Sequence, residues 1–198
     1  IGRVETVEGG AEVTRADGTK ITLGQGAPLF SGDVIETAED ASVGIVLADD
    51  STLSLAESGR MVMDEIAYDP ATETGNATIS VVQGVFSFVS GQIAKVGPDA
   101  MVLRTPVANI GIRGTKVAGR AAQEGAENTI SLLPETDPQG NQIVGELSVT
   151  NQGGTVTLNA IGATVQMSSA FQAPPPPVLN WNPVAGYNDY PMQPSQDL

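Results

Sequence analysis

The chain has 198 residues, which matches one domain of roughly 100 to 200 residues with an appendage, and its 23 acidic and nine basic residues give a net charge of −14. It contains neither cysteine nor histidine; this excludes a disulfide framework, thiolate or imidazole metal sites and every nucleophile activated by histidine, so the chain reads as a non-enzyme. The acidity argues against nucleic acid, whose phosphates are held by clustered Lys and Arg. All nine cations lie at or before Arg120, so the last 78 residues carry seven acids and no positive charge. That asymmetry suits a solvated exported surface, with attraction for calcium or a basic partner as the lesser reading. No D-x-D-x-D-G loop occurs, so calcium is a minor candidate and no other cofactor is expected. No run of 18 apolar residues is present, so this chain is expected to lack a membrane-spanning segment. It begins at Ile1 without a methionine, as a chain does once a secretory leader has been removed or where it is a piece of a longer chain.

In chain order the pattern is strand and turn. AEVTRADGTKITL, residues 11–23, alternates around Asp17-Gly18, a hairpin signal because a tight turn there needs positive φ. SVGIVLADDSTLSL comes next, with Val43, Ile45 and Leu47 on one face, a turn at Asp49-Asp50-Ser51, then Leu53 and Leu55. MVMDEIAY, NATISVVQGVFSFVSGQIAKV, NTISLL, GELSVTNQGGTVTL and GATVQM continue the series. Short strands separated by Gly/Asp turns predict an all-β fold, a compact β-sandwich or β-roll, with at most one helical turn near residues 118–124. VTRADGTKITL and VTNQGGTVTL align with one gap, a weak internal echo of strand, glycine turn and strand.

Residues 101–117 carry the sharpest local signal. Met101, Leu103, Thr105 and Val107 alternate on odd numbers, Ile110 and Ile112 on even ones, and Val117 is odd again. Strand side chains alternate strictly between faces, so each switch of parity needs a bend or an extra residue. Pro106 and Gly114 are the expected corners. Arg113 falls opposite Ile110 and Ile112, and a structural role is expected for it, bonding backbone carbonyls or a carboxylate such as Asp33 or Asp64.

The order GRVETVEGGAEVTRADG, GAPLFSGDVIET, LADDSTLSL, VVQGVFSFVSGQIAKV and TPVANIGIRGT resembles the FecR domain family over roughly residues 1–117. TPVANIGIRGT is close to that family's TP-x-A-x-IGIRGT signature, which marks Thr105, Pro106, Gly111, Arg113, Gly114 and Thr115 as the structural motif. Asn109 stands where Thr is expected, and Asp50 where the family usually has the Gly of an Asp-Gly turn. The resemblance implies an exported β-domain of a Gram-negative bacterium, at the cell surface or in the periplasm. In FecR-like regulators such a domain receives a signal from an outer-membrane receptor and joins a transmembrane helix and a cytoplasmic anti-sigma part. The sequence shows neither of those parts, so the resemblance carries over the fold and a role in protein contacts.

The acidic pairs Glu39-Asp40, Asp49-Asp50 and Asp64-Glu65 suggest paired-carboxylate hydrolysis, but residues 31–85 hold a single aromatic, Tyr68, and solvated turns are the better reading. No G-x-S-x-G elbow, phosphate loop or H-E-x-x-H occurs. The sequon Asn76-Ala77-Thr78 is expected in an exposed loop. A β-domain over 1–170 is expected to give way to a Pro/aromatic-rich tail over 171–198, with seven of the 13 prolines and four of the eight aromatics. Pro174–Pro177 should run as polyproline and project the residues beyond it away from the domain. Phe171, Trp181, Tyr187 and Tyr190 are of types enriched at interface anchors, so the tail is the candidate partner-binding segment. The expected function is a protein-interaction module that assembles with copies of itself or another surface component, with a periplasmic sensor as the alternative. A glycan-binding role is less supported, since an aromatic platform is absent outside the tail.

Overall fold

The computed structural model describes residues 2–97, 100–136 and 138–179; among them are 19 strands, one 3-10 turn and no α-helix. The first strands are β1 (Gly2–Glu8), β2 (Ala11–Thr14), β3 (Lys20–Thr22), β4 (Pro28–Leu29), β5 (Val34–Thr37), β6 (Ser42–Leu47) and β7 (Thr52–Leu55). Next come β8 (Arg60–Asp69), β9 (Thr74–Val89), the 3-10 turn Ile93–Lys95, β10 (Met101–Arg104), β11 (Asn109–Arg113), β12 (Lys116–Ala121) and β13 (Asn128–Leu133). The last are β14 (Glu135–Thr136), β15 (Gln142–Ile143), β16 (Glu146–Asn151), β17 (Gly154–Leu158), β18 (Ala163–Met167) and β19 (Val178–Leu179).

These strands form two sheets that share β9, besides the small β14–β15 hairpin. Sheet A runs β4-β1-β6-β7-β9-β12-β13-β18-β19. Sheet B runs β3-β2-β5-β8-β9-β10-β11-β16-β17. In both, the chain advances across the sheet after an inverted first pair, β4 lying outside β1 and β3 outside β2, and only the β9–β10 pairing is parallel among those described. The expected all-β fold is therefore a sandwich. The first part of β9 pairs with β8 up to Gln83, and from Gly84 onward its residues pair with β12 in the other sheet. Gly84 makes the crossing at φ +108°, where an added Cβ would sit 2.8 Å from the Gly59 Cα. Side chains of alternate residues fill the space between the sheets: Met61, Ile79, Ile110 and Leu147 from sheet B meet Ile45, Leu53, Phe88 and Val117 from sheet A, all essentially inaccessible to water. Each such side chain contributes about 1.5–3 kcal/mol by leaving water, which is why the period-two pattern dominates the fold.

Several expectations change in detail. The first hairpin forms at Asp17-Gly18, but its loop is three residues long: the Arg15 N–H donates to the Thr19 carbonyl at 2.8 Å, and only Gly18 has positive φ, +90°. The Asp17 carboxylate accepts the Thr19 N–H at 2.9 Å, and that bond holds it below its ordinary value. Residues 118–121 lie in β12, a hydrogen-bonded turn follows in which the Ala126 N–H donates to the Gln123 carbonyl at 2.9 Å, and the 3-10 turn is at Ile93–Lys95. The sequon is strand rather than loop, with Asn76 opposite Ala67 and Thr78 opposite Val102. The two echoing hairpins, β2–β3 and β16–β17, occupy the opposite edges of sheet B. At the far end of the proline run the chain turns back on the domain instead of leaving it, since Val178 and Leu179 pair with Thr164 and Ala163. Continuing that register places prolines beside the rest of β18, where they have no N–H to give and the ladder stops.

Candidate functional site

The signature segment forms one hairpin and one corner. Thr105 closes the β10–β11 turn: its N–H donates to the Ala108 carbonyl at 2.8 Å, and its hydroxyl donates to that same oxygen at 3.0 Å. Pro106 sits inside this turn, where its fixed φ suits the reversal and no ladder N–H is required. Gly111 is buried in mid-strand, opposite Val102 on one side and Ser148 on the other. Both corners read from the parity switches are present, the second at Gly114 with φ +60°.

Past Gly114 the chain leaves sheet B for sheet A, and Thr115 pins the crossing. Its N–H donates to the Ser90 hydroxyl at 2.7 Å, the Ser90 N–H returns to the Thr115 carbonyl at 3.0 Å, and the Thr115 hydroxyl accepts the Gly145 N–H at 3.2 Å. Three chain segments are joined at one buried residue. Arg113 meets neither Asp33 nor Asp64. Its guanidinium pairs at 3.0 Å with Glu146, which lies directly across on β16, and both side chains are well exposed, at 56% and 36%. Asp33 is instead bound by Arg15 and by the Phe30 N–H at 2.8 Å, with the Arg15 guanidinium 4.9 Å above the Phe30 ring. Asp64 accepts the Ser80 hydroxyl at 2.5 Å. The sequence could not reveal the true partner, because 33 residues separate Arg113 from Glu146 and only the strand register joins them.

The reading of the acidic pairs as solvated turns fails at Asp49. Its carboxylate is fully buried and accepts the Ser51 N–H at 3.0 Å, the Ser51 hydroxyl at 2.8 Å and the Ile93 N–H at 2.9 Å. The Ser51 hydroxyl in turn accepts the Gly91 N–H at 2.8 Å. This turn therefore anchors the loop after β9, and the Asp-x-Ser spacing was its only trace in the sequence. Asp50 beside it adopts φ +68°, the left-handed geometry that glycine supplies in the family pattern.

An open groove of about 620 Å³ lies on the outer side of sheet A beside Glu57, Val85 and Arg120. It has no aromatic lining. Among the described residues no group of three or more His, Cys, Asp or Glu is arranged to hold a metal ion, and no helix is long and apolar enough to cross a membrane. Phe171 is 65% exposed, while Trp181, Tyr187 and Tyr190 lie outside the described residues. What the arrangement offers is free sheet edges, an open groove and a braced corner.

The family model described as FecR protein matches residues 33–134, which is 102 of the 198 residues. No curated protein matches the chain. Two crystal structures of a proposed anti-sigma factor from Parabacteroides distasonis are similar, each with 14% identity over 72% of this chain and a TM-score of 0.49. The chain spans 57% of the length of that protein.

Proposed function

This chain belongs to the FecR family, and from that premise we propose that it is a non-enzymatic, exported domain whose work is contact with another protein, in the receiving position that FecR-like regulators give to their periplasmic part. The observation that carries this reading is the free edge of sheet B. Every residue of β3 is exposed, Ile21 is 42% exposed, and the strand is hydrogen-bonded only to β2 among the described strands. An unpaired edge with an apolar side chain is a template for strand addition by a partner. A photo-crosslinking residue at position 21, used in cells, gives a discrete protein adduct that Thr22→Pro removes, whereas the same residue at exposed position 123 gives none. Equal labelling at both positions, or none at either, would contradict the reading.

A second reading, assembly with copies of the same chain, is favoured by one further feature. Sheet B ends in an exposed hairpin at each side, β3 at one and β17 at the other, and joining unlike edges builds rings or open filaments. Light scattering across concentration distinguishes the two: assembly predicts a rising mass that Thr22→Pro caps at the monomer, and a constant monomer mass excludes it.

A further inference from the structure

Sheet A is closed on its outer side along one row, Ser54, Ser87, Ala118 and Ser131, which pair strand by strand and are at most 4% exposed. Two residues nearer the end of the sheet the closure stops. The row there runs Glu8, Ser42, Ala56, Val85 and Arg120, from β1 and β6 past the end of β7 to β9 and β12. Glu8 pairs with Ser42 and Val85 with Arg120, and the Ala56 N–H donates to the Val85 carbonyl at 2.9 Å. Strand side chains alternate between faces, so this row points the same way as the closed one. Yet Ala56 and Val85 are only half-buried, and Glu8 and Arg120 are exposed. All five line the open groove of about 620 Å³, a volume in the usual range of ligand sites, ~300–1,000 Å³. Four strand spacings of about 4.8 Å carry it over roughly 19 Å, the reach of roughly five or six extended residues.

The charges of the groove are sorted along it. Three carboxylates, Glu8, Asp40 and Glu57, stand over the part made by β1, β6 and β7, and Arg120 is alone at the β12 end. The Glu8, Asp40 and Arg120 side chains have no ion-pair or hydrogen-bond partner among the described residues, and Glu57 accepts only the Asp40 N–H, at 3.2 Å. The rim also holds unfavourable backbone. Asp40 at φ +59° and Ser58 at φ +54° are two of the four described non-glycine residues in the left-handed region, a geometry that persists only where the surroundings impose it. We propose that this groove takes an extended segment of a partner protein. The segment carries lysine or arginine where it passes Glu8, Asp40 and Glu57, small apolar residues over Ala56 and Val85, and a carboxylate on Arg120, roughly five or six residues from the first cation. Its cations meet carboxylates that lack a counter-charge, and its carboxylate meets a guanidinium with no competing partner inside the chain. Opposite charge at the two ends fixes which end of the segment lies where. The site stands apart from strand addition at β3, which uses the edge of sheet B, so either can fail without the other.

A random octapeptide phage library panned on the full chain tests this. Enriched sequences are expected to carry Lys or Arg toward one end and Asp or Glu roughly five or six positions away. Synthetic copies of them bind, by fluorescence anisotropy, with an affinity that Arg120→Glu and the double variant Asp40→Lys/Glu57→Lys each weaken by about tenfold or more, and that Thr22→Pro leaves unchanged. Replacing the acid of the peptide by lysine restores its affinity for Arg120→Glu, a rescue that a damaged fold would not give. The three groove positions are exposed, so the variants are expected to keep the circular dichroism of the parent; if the double variant does not, Arg120→Glu with the exchanged peptide decides alone. The proposal is overturned if no peptide is enriched, if the enriched peptides lack that order of charges, or if their binding ignores Arg120→Glu. Binding lost in Thr22→Pro alone would place the peptides on the edge of sheet B, which overturns this proposal and leaves the earlier reading standing.

Discussion

Sheets A and B have nine strands each, with β9 in the middle of both, yet their outer sides differ. In sheet B, β16 alternates between buried and more exposed positions, so Leu147 and Val149 face the core and Thr150 faces water. In sheet A, β13 has no exposed position and the outward Ser131 is inaccessible. Antiparallel sheets with one wet face alternate, whereas sheets covered on both sides carry small or apolar residues throughout. The inner pattern therefore fixes the sandwich, while the outer pattern tells which side meets other chain. Sheet B keeps its outer side for water; sheet A closes its outer side.

The comparison is broken most severely from within sheet A. Gly119→Val puts a Cβ 2.5 Å from the Thr129 carbonyl oxygen and 2.8 Å from the Phe86 ring, and the variant is expected to lose its cooperative thermal transition altogether, as read by circular dichroism. A sharper test sets one substitution on each outer side. Ser131→Lys forces a charge into a covered face and is expected to cost about 3 kcal/mol or more in urea unfolding, while Thr150→Lys on sheet B stays within about 0.5 kcal/mol of the parent. The smallest effect belongs to the signature arginine. Arg113→Ala removes an exposed ion pair on sheet B, so its effect on the unfolding midpoint corresponds to about 0–1 kcal/mol and fades with added salt.

That last expectation differs from the sequence reading, and the reason is physical. Glycine-flanked Arg113 in a family signature suggests a structural brace to Asp33 or Asp64, but its partner and exposure depend on strand register, which the sequence does not display. What alternation and turn chemistry encode locally was legible: the hairpin at Asp17-Gly18, the corners at Pro106 and Gly114, the turn at Asp49-Asp50-Ser51. Long-range consequences were not. The apolar run VVQGVFSFV gives no sign that β9 serves two sheets, because the crossing rests on Gly84 meeting Gly59 across the fold. NTISLL reads only as one more strand of the series, and its unbroken burial could have been inferred from the lack of any charged or long polar side chain in it. Ser54, Ser87 and Ser131 gave no warning at all, since a serine in a strand is equally at home on an open face or in a crowded one.

The absence of cysteine from these 198 residues makes the asymmetry of the two sheets directly measurable. Ser131→Cys and Thr150→Cys, each the single thiol of its variant, are exposed to a thiol reagent under native conditions, and the labelling rates are divided by those in denaturant. Burial of sheet A on both sides predicts that position 131 is slowed by orders of magnitude while position 150 reacts close to its unfolded rate; equal native rates at the two positions would contradict it.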